Sequence, residues 1–201
     1  YMGDQLGEIV DAIVAGVPFD QLPCAEVGTL DLGVSTLPVL PKDPTDRNRT
    51  SPFAFTGNRF EFRMVASSVS IGDANTVMNS MMAESFNKAC DALEGAEDFE
   101  KAAIDYIYKT MKENKNIVFN GNGYSDEWVE EAAKRGLPNV KSIVDAIPAY
   151  TDESSIEMFE KLGVMTKREL EARREIKLEE YAGLINIEAR TMIDMAAKLY
   201  I

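Results

Sequence analysis

Apolar residues recur at helical spacing along most of this chain and alternate at strand spacing only before residue 65. Leu6, Ile9, Val10, Ile13 and Val14 mark a helix over 4–14, ended by Gly16 and Pro18. Leu30, Leu32 and Val34 alternate with Asp31 and Gly33, and 37–41 closes that element. Two short apolar runs, 53–55 and 59–64, flank the turn signal Thr56-Gly57-Asn58 and predict a hairpin. From Asp73 the period becomes helical. Asp73 or Asn75 caps a helix carrying Met78, Met82, Ser85, Ala89 and Leu93, with Gly95 as its stop. A second helix over 98–114 aligns Phe99, Ala103, Ile107 and Met111. Asn120-Gly121-Asn122-Gly123 reads as a connector between helices, or else as a loop at a subunit contact. Ser125 then caps a short helix presenting Trp128, Val129 and Ala132.

The longest helix opens on the capping box Thr166-Lys167-Arg168-Glu169. Its first half is charged, with Glu169 and Arg173 spaced as a supportive pair. Its second half carries Tyr181, Ile185, Ala189, Met192, Ala196 and Leu199 at spacings of three and four. Packing against the chain's other helices is the expected use of that stripe, because three heptads do not establish a coiled coil. The pattern as a whole predicts an α+β chain: a helix-and-strand part over 1–72, then a mainly helical part over 73–201.

Composition narrows the partners. A net charge of −13, from 21 basic and 34 acidic residues, excludes non-specific attraction to nucleic acid or anionic membranes. The 45% hydrophobic content over 201 residues is enough for a sizeable core. Cys24 and Cys90 make no disulfide framework and read as buried thiols in a reducing compartment. With neither a spanning run nor a leader pattern, the expected location is the cytoplasm. The ten methionines are expected to fill the core. The charged segment 42–49 reads as a mobile loop.

The chemistry sits on 59–64. A strand there places Arg59, Glu61 and Arg63 on one face and Phe60, Phe62 and Met64 on the other, where they can pack on a core. A carboxylate between two guanidinium groups suits phosphate, carboxylate and a divalent cation held together. The same triplet also serves as an ordinary ion-pair ladder on a solvated strand, worth about 0–1 kcal/mol per pair. A hairpin would bring Arg49 toward this face.

The stretch DRNRTSPFAFTGNRFEFRM resembles the C-terminal half of the glutamine synthetases, in their long type III form. The family pattern of Asn-Arg-Ser, a strand, Arg-Ile-Glu-x-Arg and then Ala-Asn-Pro before a long helix has its counterparts here. They are Asn48-Arg49-Thr50, the run from Arg59 to Arg63, and Ala74-Asn75-Thr76. The segments 116–128 and 188–191 resemble the type III tail, so the likeness runs over the whole chain. It implies strands from a catalytic barrel followed by a helical bundle. It implies that Glu61 is a metal ligand, for Mg²⁺ or Mn²⁺. Arg63 would hold the glutamate substrate and the phosphoryl group in transit, and Arg49 and Arg59 would contact the ATP phosphates. The implied reaction makes glutamine from glutamate, ATP and ammonia through γ-glutamyl phosphate, in a large homo-oligomer.

Ala54 departs from the pattern, since more familiar members carry an arginine there; Arg47 is the available substitute. The chain has no histidine, whereas the family's metal sites use one histidine and several glutamates from preceding strands. The expectation is therefore a C-terminal fragment of a larger enzyme, inactive alone, with short β-elements that expose unpaired edges. The alternative is a non-catalytic helical assembly module with the Arg-Glu-Arg triplet as a surface ladder.

Overall fold

Why the chain folds as it does is clearest at its first helix. In the computed structural model, which describes residues 1–23, 28–30, 33, 40–41, 48–57 and 59–199, the 3–4 spacing of Leu6, Val10 and Ile13 forms helix α1 (Asp4–Ala15). Val10 and Ile13 are buried, and Gly16 ends the helix in the left-handed conformation (φ 82°). Two small antiparallel ribbons follow. Strand β1 (Thr29–Leu30) pairs with β2 (Leu40–Pro41), and β3 (Phe53–Phe55) pairs with β4 (Phe60–Phe62). The remainder is helical: α2 (Ile71–Leu93), α3 (Phe99–Glu113), α4 (Asp126–Lys134), α5 (Ile143–Ala146), α6 (Glu153–Lys161) and α7 (Lys167–Leu199). The chain is thus a mainly helical α+β polypeptide. Leu32, Val34, residues 37–39, Lys42 to Arg47, Cys24 and Asn58 lie outside the described residues.

The chain divides into two compact units that do not follow chain order: Tyr1–Ile71 with Ala89–Asn139, and Gly72–Lys88 with Val140–Ile201. In the first unit α1 packs on α3, and the Tyr108 hydroxyl donates to the Val17 carbonyl. The Lys115 ammonium pairs with Asp11. Asp98 and Ser125 cap α3 and α4 by accepting from the amides of Lys101 (3.0 Å) and Trp128 (3.3 Å). The Trp128 ring stacks on Phe119 at 4.2 Å, and Arg135 covers the pair while reaching Glu131 at 2.6 Å.

In the second unit the start of α7 packs on the turn Ile147–Thr151 and on α6, with Ile147, Phe159 and Leu170 at the centre. The capping box forms as the spacing predicts. The Glu169 carboxylate accepts the Thr166 amide and hydroxyl, both at 2.8 Å, and the Glu169 amide donates to the Thr166 hydroxyl at 3.3 Å. Those bonds to Thr166 hold the Glu169 carboxyl below its usual range. Glu160 adds a second acid at that helix start by accepting the Lys167 amide (2.9 Å).

Several apolar faces lie elsewhere than the spacing predicts. The buried side of α2 runs through Asp73, Val77, Ser80 and Glu84, while Met82 and Ser85 are exposed. Charge decides that orientation: Asp73 receives Lys177 at 2.5 Å and Arg173 at 3.5 Å, and Glu84 receives Lys161 at 3.2 Å. The Asp73 bond lifts the Lys177 ammonium above its usual range. Arg173 thus reaches Asp73 and also helps to lower the Glu169 carboxyl four residues before it. Of the stripe on the second half of α7, Tyr181, Ala189 and Ala196 are half-buried, while Ile185, Met192 and Leu199 are exposed. Leu184, Ile185, Ile187, Met192 and Ile193 are open, Ile193 at 67% exposure. Phe99 and Ile107 of α3 are likewise exposed, and so is Cys90, which is not a buried thiol.

Leu170 is fully enclosed, so Leu170→Ala should cost about 2–5 kcal/mol in denaturant unfolding. Glu169→Gln should remove a contribution present at neutral pH. Because the folded-state carboxyl titrates below its unfolded value, the gap between variant and parent should close as the pH falls through that lower value. Thermal unfolding of both proteins from neutral to acidic pH checks this, and a gap independent of pH would contradict it.

Candidate functional site

The site is built on the β3–β4 hairpin. Its register pairs Phe53 with Phe62, Ala54 with Glu61 and Phe55 with Phe60. The period-2 alternation therefore puts Ala54 and Glu61 side by side on one face and the four phenylalanines on the other. The faces are inverted in burial. Ala54 is 0% exposed and Thr56 is buried, whereas Phe60 is 49% and Met64 64% exposed. On the aromatic face Phe53, Phe60 and Phe62 are exposed among the described residues and Phe55 is half-buried. The rings cover one another, Phe53 against Phe60 at 5.5 Å and Phe62 at 6.1 Å, and Phe55 against Phe60 at 5.2 Å. The outer edge of β3 is paired by Tyr1, whose carbonyl accepts the Phe55 amide (2.9 Å) and whose ammonium donates to the Phe53 carbonyl (3.1 Å).

Glu61 is the electrostatic centre. One carboxylate oxygen receives both Nη2 (2.9 Å) and Nε (3.3 Å) of Arg63. The other faces Arg59 Nε at 3.4 Å and the Thr56 hydroxyl at 3.5 Å. The Arg63 hydrogen bond, opposed by desolvation and aided by the charges of Arg63 and then Arg59, holds the carboxyl below its usual range. Arg63 is the more enclosed of the two, its side chain 27% exposed against 69% for Arg59. Its Nη1 donates to the Asn48 carbonyl, which joins the strand to the loop carrying Arg49. The predicted residues Arg59, Glu61 and Arg63 are thus brought together on one face. Arg49 stands exposed on the loop beside the residue that Arg63 grips.

Three further residues support the site, and only the first carries a signal in the sequence. Asn48 forms an Asx turn: its Oδ1 accepts the Thr50 amide (3.1 Å) and its Nδ2 donates to the Thr50 hydroxyl (3.0 Å). Gly123, in the loop read as a connector, donates its amide to the Thr50 carbonyl at 2.7 Å. Thr56 is buried behind Glu61. An Asn two residues before a Thr is the sequence signature of the first.

The donor chemistry fits anions better than cations. Guanidinium groups match phosphate and carboxylate oxygens. Among the described residues no three His, Cys, Asp or Glu side chains converge in a way that could hold a metal ion. Glu61, its charge already met by two arginines, does not make a divalent-cation site by itself.

Comparison with known proteins gives the class. Residues 102–201 match the family described as the glutamine synthetase C-terminal domain. The chain belongs to the glutamine synthetase family. The hairpin lies outside that match but inside the likeness to whole relatives. A glutamine synthetase of Butyrivibrio fibrisolvens is 42% identical over 98% of this chain and 28% of its own length. A type-3 glutamine synthetase of Dictyostelium discoideum is 39% identical over 99% of this chain and 27% of its own. That of Bacteroides fragilis (strain YCH46) is 38% identical over 98% and 27%. The chain therefore spans little more than a quarter of the length of the curated relatives it matches.

Ala54, where familiar members carry arginine, has no space above it. Ala54→Arg should therefore displace the hairpin and destabilise the first unit by about 2 kcal/mol or more. An unchanged melting temperature would show that the position tolerates a guanidinium group.

Proposed function

We propose that this chain is the C-terminal part of a type III glutamine synthetase, an ATP-dependent glutamate–ammonia ligase. The observation that carries the reading is Arg63, a guanidinium held by Glu61 and the Asn48 carbonyl beside an exposed Arg49, in a chain close to such enzymes over nearly all its length. In this reading ATP phosphorylates the γ-carboxylate of glutamate, and ammonia then displaces phosphate to give glutamine. Arg63 holds the glutamate substrate and neutralises charge on the phosphoryl group in transit, and Arg49 and Arg59 hold the ATP phosphates. A fixed guanidinium serves this better than a mobile one because little ordering remains to be done when charge develops. Glu61 supplies one carboxylate toward a Mg²⁺ or Mn²⁺ site whose other ligands come from elsewhere in the longer protein. The open aromatic face of the hairpin suits a strand pair covered within a larger β-structure. The enzyme works in the cytoplasm as a large homo-oligomer, with no nucleic-acid or membrane partner.

A second reading has its own support. Glu61 is satisfied by arginines of its own chain, and the second half of α7 is open on its apolar positions, as in a helical assembly module.

The two separate in one assay. The 201-residue chain alone should form no glutamine from glutamate, ammonia and Mg-ATP. Joined to the preceding three-quarters of the Butyrivibrio fibrisolvens enzyme in place of that enzyme's own segment, it should form glutamine. Arg63→Ala in this hybrid should lower turnover by about 10²–10³-fold, the cost of removing a group that stabilises charge in the transition state. Glutamine made by the chain alone, or full activity of the Arg63→Ala hybrid, would overturn the proposal.

A further inference from the structure

We infer that Asn48 and Gly123 are positioning residues for the arginine pair Arg49 and Arg63; the inference rests on the reading above, in which those arginines hold phosphate. The backbone of residue 49 lies between two pinned neighbours. On one side the Asn48 carbonyl accepts Arg63 Nη1, while the Asn48 side chain closes an Asx turn onto the Thr50 amide and hydroxyl. On the other side the Thr50 carbonyl accepts the Gly123 amide at 2.7 Å. A single loop segment thus grips Arg63 and presents Arg49, and its path is fixed from both flanks.

The Gly123 contact needs glycine for space rather than for backbone angle. A Cβ there would lie 3.2 Å from both the Thr50 carbonyl oxygen and the Pro52 ring. The loop bearing Gly123 is itself anchored to α1. The Asn120 side chain accepts the Met2 amide at 2.9 Å and lies so close over Gly7 that a Cβ at Gly7 would come within 2.6 Å of its Nδ2. The path runs from α1 through Asn120 and Gly123 to Thr50, Asn48 and Arg63. Neither Asn48 nor Gly123 need touch substrate in this scheme; both act by limiting where the two guanidinium groups go.

The test compares the parent chain with Asn48→Ala, Asn48→Ser and Gly123→Ala. Two quantities are read: the ¹⁵N–¹H signal of Arg63 Nε, and the affinity for pyrophosphate followed by the same spectra. Asn48→Ala should weaken pyrophosphate binding about fivefold, the equivalent of one hydrogen bond, and speed hydrogen exchange at Arg63 Nε. Asn48→Ser keeps a hydroxyl acceptor for the Thr50 amide and should stay within about twofold of the parent. Gly123→Ala, which leaves Asn48 intact, should shift the Thr50 amide and weaken pyrophosphate about two- to threefold without lowering the melting temperature by more than a few degrees. If Asn48→Ala does not fold, Gly123→Ala still decides. Unchanged pyrophosphate affinity in both alanine variants, or a serine variant as impaired as the alanine one, would overturn the inference. If the parent chain binds no pyrophosphate, the phosphate reading fails. The Arg63 Nε signal then judges positioning separately: an unaltered signal in Asn48→Ala and Gly123→Ala rejects it, and an altered one supports it.

Discussion

The carbonyl of Asn48 is the constraint on which the site depends, because it is where the Arg63 guanidinium leaves its own strand and grips another segment. A β-hairpin of three-residue strands has little stability of its own. Its cross-strand aromatic contacts and the pairing with Tyr1 give it shape, but neither directs a long, flexible arginine. Arginine carries roughly 2 kcal/mol of rotamer entropy, so one held by a carboxylate and a carbonyl together has already lost much of that freedom before any ligand arrives. Glu61 serves the same end. Its carboxyl is drawn below the usual range chiefly by the hydrogen bond from Arg63.

The hairpin also inverts the usual arrangement. Ala54 and Thr56 are enclosed on its polar face, although Arg59 is open there, and Phe53, Phe60 and Phe62 stand outward. Alternation in the sequence states which residues share a face and is silent on which face is covered. The alternation is compatible with either face being covered, and in this chain Ala54 and Thr56 are the buried residues of the hairpin strands and turn. The same limit explains α2. Counting apolar positions selected Met78, Met82 and Leu93, whereas the helix turns Asp73 and Glu84 inward because Lys177 and Lys161, far away in the chain, meet them. Ion-pair partners separated by 77 and 104 positions leave no periodic trace.

What was legible had short-range causes. The end of α1 at Gly16, the cap at Ser125, the reciprocal bonds of Thr166 and Glu169 and the hairpin all depend on residues within a few positions of one another. The Arg59, Glu61 and Arg63 face was legible for the same reason. The support from Asn120 and Gly123 was not, because their composition marks a turn without saying what the turn leans on. The apolar end of α7 belongs to the same class: spacing identified the stripe, and only the fold locates it in the open.

In the proposed function, three arginines on and beside one hairpin act as a single anion site. The direct measurement is the set of arginine Nε signals in the parent chain during a pyrophosphate titration at low ionic strength. The account predicts that Arg49, Arg59 and Arg63 shift together along one binding curve while Arg135, stacked on its aromatic pair in the same unit, stays still. Separate curves for the three, or an Arg63 signal as unmoved as that of Arg135, would contradict it.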